Sequence, residues 1–166
     1  MAIDAMVPAY VGLGSNLGDP ARQVRIALAA LASLPGTRLV ASSALYRNPP
    51  MGPVDQPDFV NAVAGLLTTL SAEELLRALQ AIEDAQGRLR GGPRWGPRML
   101  DLDLLIYGDT RLESETLTLP HPGLAERPFV LIPLLEVAPG LRIPGGARIA
   151  LLAATTDGGG LARLEG

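Results

Sequence analysis

The chain has 166 residues, 48% of them apolar, and a formal net charge of −3 at pH 7. Such a length and apolar content fit one ordinary domain with a real core, which excludes disorder, and the acidic balance gives no bulk attraction to nucleic acid or anionic membrane. Cysteine is absent, and all 14 basic residues are arginine, so disulfides, thiolate catalysis, a Walker A loop and Schiff-base lysine chemistry are excluded together. No apolar run approaches the length that spans a bilayer. The first residues lack a basic segment followed by an apolar stretch, so no secretion signal is expected and the cytoplasm is the default location.

In chain order, Met6 to Leu13 reads as a buried strand, followed by Gly14-Ser15-Asn16-Leu17-Gly18-Asp19-Pro20. Ser, Asn and Asp suit a helix N-cap and Pro20 the first helical position, and Val24, Ala27, Leu28, Leu31 and Leu34 then recur at helical spacing. Gly12, Gly14 and Gly18 invite a dinucleotide reading, but their GxGxxxG spacing is not GxGxxG, and a tight turn is the simpler reading. Pro35-Gly36 stops the helix, and Thr37 to Tyr46 reads as a second strand. Four prolines (Pro49, Pro50, Pro53, Pro57) make the next stretch a restricted loop, and Phe59 to Leu70 is a long third strand. Ser71 with Glu74 three positions on forms a capping-box pattern for a helix running to about Gln86.

Arg88 to Arg98 then gathers four arginines (Arg88, Arg90, Arg94, Arg98), the chain's one Trp (Trp95), and several Gly and Pro, a loop by composition. It feeds a strand reading Leu100-Asp101-Leu102-Asp103-Leu104, whose alternation puts Asp101 and Asp103 on one face. Adjacent carboxylates repel unless a cation sits between them, hard oxygens suit magnesium beside phosphates, and arginines bind phosphate bidentately. Taken singly, the strand is better explained by a wet face and the loop by a solvated connector. Their conjunction points to an anionic ligand with a metal.

Farther on, Leu117 to Leu119 reads as a short strand, and Leu119-Pro120-His121-Pro122 as a proline-held turn carrying the one histidine. Pro128 to Val137 fits helix or strand, and its bounding prolines favour helix. Beyond Pro139 a small strand near Leu141 and a short Ala/Leu-rich helix precede a tail expected to be loose after about residue 155. The order strand, helix, strand, strand, helix, strand is the split βαβ or ferredoxin-like arrangement, an α+β class with a mostly antiparallel sheet, here as one domain over 1–166. Phe59 and Phe129, the only two phenylalanines, are plain core candidates, and Asn61 shares a strand face with Phe59 as a polar reader of a flat ligand.

Together, Gly14–Asp19, Asn48–Asn61, Arg94–Leu105 and Leu119–Leu134 resemble the 6-hydroxymethyl-7,8-dihydropterin pyrophosphokinase family. The resemblance implies a ferredoxin-like α/β/α enzyme of folate biosynthesis that moves the pyrophosphoryl group of ATP onto the pterin hydroxymethyl oxygen and leaves AMP. It implies that Asp101 and Asp103 hold two magnesium ions, that Arg88 and Arg98 meet phosphate, and that Trp95 helps close the loop. It further implies a pterin held between Phe59 and Phe129 and read by Asn61, Asn48 and Pro50. Gln80, Glu83, Arg90, Thr118, His121 and Arg127 match positions around the nucleotide. ATP and a pterin are thus the expected partners, without nucleic acid or membrane, and a monomer the expected state, a weak homo-oligomer being its alternative. Two other readings stand beside this one. A non-catalytic ligand-binding domain would not require the paired Asp, and an RNA-recognition-type module would want exposed aromatics and a basic surface.

Overall fold

Strand β1 (Val7–Ser15) lies inside a six-stranded sheet and sorts the molecule into two faces. Ala9, Val11 and Leu13 on one face are all but sealed from solvent, whereas Tyr10, Gly12 and Gly14 look the other way. The computed structural model describes residues 5–49, 55–86, 100–156, 158 and 160–164. Its remaining strands are β2 (Thr37–Ser42), β3 (Tyr46–Asn48), β4 (Phe59–Thr68), β5 (Asp101–Tyr107) and β8 (Ala162–Arg163), with β6 (Leu112–Glu113) and β7 (Thr118–Leu119) forming a separate ribbon. The sheet runs β5-β1-β4-β3-β8, with β2 also on β4, and every pairing is antiparallel.

Helices α1 (Pro20–Ala32) and α2 (Ala72–Ala85) pack on the Ala9 face, where Val24, Leu31, Leu75 and Leu79 meet the sheet. Asp19 caps α1 by accepting from the Arg22 amide, with Pro20 at the first position, and the Ser71–Glu74 capping box of α2 is complete. Helices α3 (Pro128–Val137) and α4 (Ile149–Ala154) cover the opposite face through Val130, Leu131, Leu134 and Ile149. The result is an α/β/α sandwich of ferredoxin-like order, and Pro128–Val137 is helix despite Pro133 within it. No described helix is long and apolar enough to cross a membrane.

Two expectations are corrected. The single strand read from Thr37 to Tyr46 is two: the Ser43 amide still donates to the Val63 carbonyl at 2.9 Å, but the returning bond from the Val63 amide goes to Ser43 Oγ at 2.9 Å, which donates to the Ala44 carbonyl at 2.7 Å. The tail expected to be loose beyond 155 returns to the sheet as β8, pairing Tyr46 with Arg163 and Arg47 with Ala162. A two-residue strand of exposed residues carries no periodic signal, which is why composition alone does not find it.

Candidate active site

The cleft lies between β1, β4, β5 and the start of α3, on the face away from α1 and α2. Its empty space is about 620 Å³, open solvent at its mouth included. Its floor is made by what two glycines leave out. A Cβ on Gly14 would stand 2.8 Å from Asn61 Oδ1, so no side chain fits there while that amide holds its place. Gly12 and Gly14 are strand residues opening a cavity, and the tight turn expected is kept at Gly18 alone, whose φ is +65; the signal for this was the two-residue spacing of the first two glycines on the strand that precedes the turn.

Strand pleating supplies the walls. Leu102 and Leu104 enter the core under α1 and α2, so Asp101 and Asp103 line the cleft from the other face of β5. A bulge opposite Tyr10 and Val11 leaves Leu105 unpaired and turns both Leu105 and Ile106 into the core under α3 and α4. From β4 come Phe59 and Asn61, and from β3 Asn48, whose side-chain carbonyl accepts a hydrogen bond from Asn61 Nδ2. Asn48 Nδ2 in turn donates to the Pro49 carbonyl at 3.0 Å. Phe129, on the first turn of α3, closes the other side, with the Arg127 guanidinium 5.9 Å over its ring. Gly123 makes room for that guanidinium, since a Cβ there would lie 2.6 Å from Arg127 Nε.

His121 borders the carboxylates. Its amide donates to the Leu105 carbonyl at 2.8 Å, its Nδ1 accepts from the Gly123 amide at 3.1 Å, and its Nε2 stands 3.8 Å from Asp103 Oδ1. Burial first, and then the Arg127 charge, push the imidazole below its ordinary pKa against the pull of Asp101. The ring is therefore neutral at pH 7 with its proton on Nε2, and its contact with Asp103 is not an ion pair.

Of the residues expected around a ligand, Asn48, Phe59, Asn61, Asp101, Asp103, Arg127 and Phe129 share this one cleft. Thr118 is half-buried in β7, and Gln80 is exposed on α2. Glu83 is 1% exposed and not a cleft residue: its Oε2 accepts from the Leu102 amide at 2.8 Å, on the edge of β5. Pro50, Arg88, Arg90, Trp95 and Arg98 lie outside the described residues. One anchor carries no signal in the sequence. Glu136 of α3 accepts from Tyr46 Oη at 2.6 Å and from the Ala44 amide at 2.8 Å, tying the helix that carries Phe129 to the strand that carries Asn48.

The carboxylates suit a hard cation. Among the described residues no group of three or more His, Cys, Asp and Glu is placed to hold a metal, so two carboxylates would leave most of a cation's positions to water and ligand oxygens. Fold and cleft thus define a ferredoxin-like α/β/α protein in which one cleft sets two aromatic rings and two amides beside a pair of carboxylates. The family model for 7,8-dihydro-6-hydroxymethylpterin-pyrophosphokinase (HPPK) matches residues 10–139. The chain is 52% identical over 157 residues to the 2-amino-4-hydroxy-6-hydroxymethyldihydropteridine pyrophosphokinase of Pseudomonas aeruginosa, covering 95% of this chain and 96% of that protein. The Haemophilus influenzae protein of the same name is 48% identical, over 89% of this chain and 91% of its own length. In fold, the chain is similar to a Plasmodium falciparum HPPK-DHPS crystallised with pteroate (TM-score 0.72, 13% identity), covering 93% of this chain but only 43% of that longer one. The chain belongs to the HPPK family, enzymes that transfer the pyrophosphoryl group of ATP to hydroxymethyldihydropterin in folate biosynthesis.

Proposed function

We propose that this cleft is where the chain performs that transfer, giving AMP and the pterin diphosphate, and that the chain acts as a single cytoplasmic domain. One observation carries the assignment: two aromatic rings, two amides and two carboxylates border one cavity, although they come from four separate elements. A pterin is flat and apolar on its faces and carries hydrogen-bonding groups on its edge. Phe59 and Phe129 take the faces, while Asn61 and Asn48, locked to each other, present amide groups in fixed orientation to the edge. With Pro50, these residues form the ring site.

An ATP-using kinase works with a bound divalent cation, and here the finer reading is two Mg²⁺ held by Asp101 and Asp103. When bound, the ions neutralise phosphate charge and align attacking and leaving oxygens. Arg127, at the cleft wall, adds positive charge toward phosphate, and Arg88, Arg90 and Arg98 add more by their match to the family's arginines. Trp95 serves loop closure, which excludes water and strengthens each charge interaction inside. His121, held neutral, offers its Nε2 proton to a nucleotide oxygen without adding positive charge. Gln80 and Thr118 complete the proposed nucleotide set, and Glu83, matched to the same set, acts on it from beneath through its bond to the Leu102 amide of β5.

The test is substitution of the carboxylates. Asp101→Asn and Asp103→Asn should each lower kcat by roughly two to four orders of magnitude, while pterin binding without nucleotide stays near normal. Near-normal turnover in both would remove the metal role.

A further inference from the structure

The C-terminal segment 160–164 touches the edge of the site that Asn48 builds. Strand β3 is three residues long and ends at Asn48, after which the chain enters the proline loop. On one side it is registered by β4, Tyr46 to Asn61 and Asn48 to Phe59. On the other it is registered by β8, and the Leu164 amide donates to the Leu45 carbonyl at 2.8 Å. Leu164 is pinned in turn by packing on the core under α1 and α2. Past the strand the two segments leave no room for a side chain between them: a Cβ on Gly160 would stand 3.3 Å from both Cγ and Cδ of Pro49. Pro49 is the residue whose carbonyl the Asn48 amide holds. Gly160 has φ +81, a left-handed conformation that favours glycine. Gly158, just before it, lines a groove with Asn48, Pro49, Arg127 and Phe129, next to the main cleft. The Gly160 conformation serves the turn closed by the Leu161 amide on the Gly158 carbonyl at 2.9 Å, which leads the chain into β8 alongside Pro49.

We propose that residues 160–164 are a positioning strap for pterin recognition, fixing β3 and Pro49 so that the Asn48 amide stays aimed at the ring edge. The strap touches no reacting atom; it acts through Asn48. This inference rests on the pterin reading of the cleft. A displaced reader weakens pterin binding and leaves the nucleotide side intact, since a ring-edge hydrogen bond left unmade costs roughly 5- to 100-fold in affinity.

The experiment compares three chains: unmodified, Gly160→Val, and one ending at Thr156. Steady-state kinetics give separate KM values for pterin and ATP, and circular dichroism with thermal melting gives the folded fraction. The strap account predicts a pterin KM raised about 5-fold or more in both variants, with ATP KM within about twofold and the Gly160→Val chain folded at assay temperature. Should the shortened chain fail to fold, Gly160→Val alone decides. An unchanged pterin KM in folded Gly160→Val, or equal changes in both KM values, would overturn the strap and leave β8 as simple edge cover. Failure of the underlying pterin reading shows separately, as absence of pterin-dependent AMP with the unmodified chain.

Discussion

Gly14 and Asn61 show how finely the cleft is set at the scale of a single residue. The amide sits where a Cβ would otherwise be, held by Asn48, and the ring of Phe129 arrives from a different layer of the sandwich. Phe129→Ala should raise the pterin KM by roughly 5- to 100-fold, the scale of one lost stacking face, with little loss of stability because the ring is only half-buried. Steady-state kinetics check it, and an unchanged pterin KM would contradict the sandwich. His121 supplies a second prediction. In metal-free protein its ring should titrate below 6.5, as followed by proton NMR of the chain's one histidine. Because the folded pKa is depressed, the folded state takes up this proton less readily than the unfolded chain. The stability linked to this group is thus complete above 6.5 and is lost as pH falls through the folded pKa. A pKa above 6.5 would mean that Asp103 and Asp101 outweigh burial and Arg127.

Among the elements, β5 governs most of the chemistry and is held in an uncommon way. It is an edge strand, and the outward amide of Leu102, between the two aspartates, is met by the buried carboxylate of Glu83 on α2. Glu83→Ala orphans that amide and should cost about 1–3 kcal/mol by denaturant unfolding, with a fall in kcat as Asp101 and Asp103 lose their common support. Glu83→Gln retains an acceptor oxygen and should recover most of the stability; wild-type stability in Glu83→Ala would contradict this account. The helices are legible in the sequence because α2 shows both a capping box and an apolar stripe, and α1 an N-cap followed by proline. The break between β2 and β3 is not, since it depends on the Ser43 side chain taking over one ladder bond and on Glu136 collecting Ala44 and Tyr46 from 90 or more positions away. Burial and the Glu136 carboxylate push the Tyr46 phenol up to about 12, so it remains the donor of that pair through ordinary pH.

For the whole molecule, one sheet separates the core under α1 and α2 from the face that carries the cleft, and β1 carries both patterns in nine residues. The alternation that puts Asp101 and Asp103 on one face is legible in the residues themselves, as is the βαββαβ order. What local sequence does not carry is which distant segments face those carboxylates. Phe129 and Phe59 meet only because α3 crosses the sheet, and β8 meets β3 only after the chain has wrapped both faces. The measurement closest to the central claim incubates the purified chain with magnesium, ATP and 6-hydroxymethyl-7,8-dihydropterin and follows nucleotides by chromatography. The account predicts AMP in step with pterin consumption, abolished by EDTA. Formation of ADP in its place, or pterin binding with no nucleotide consumed, would contradict it.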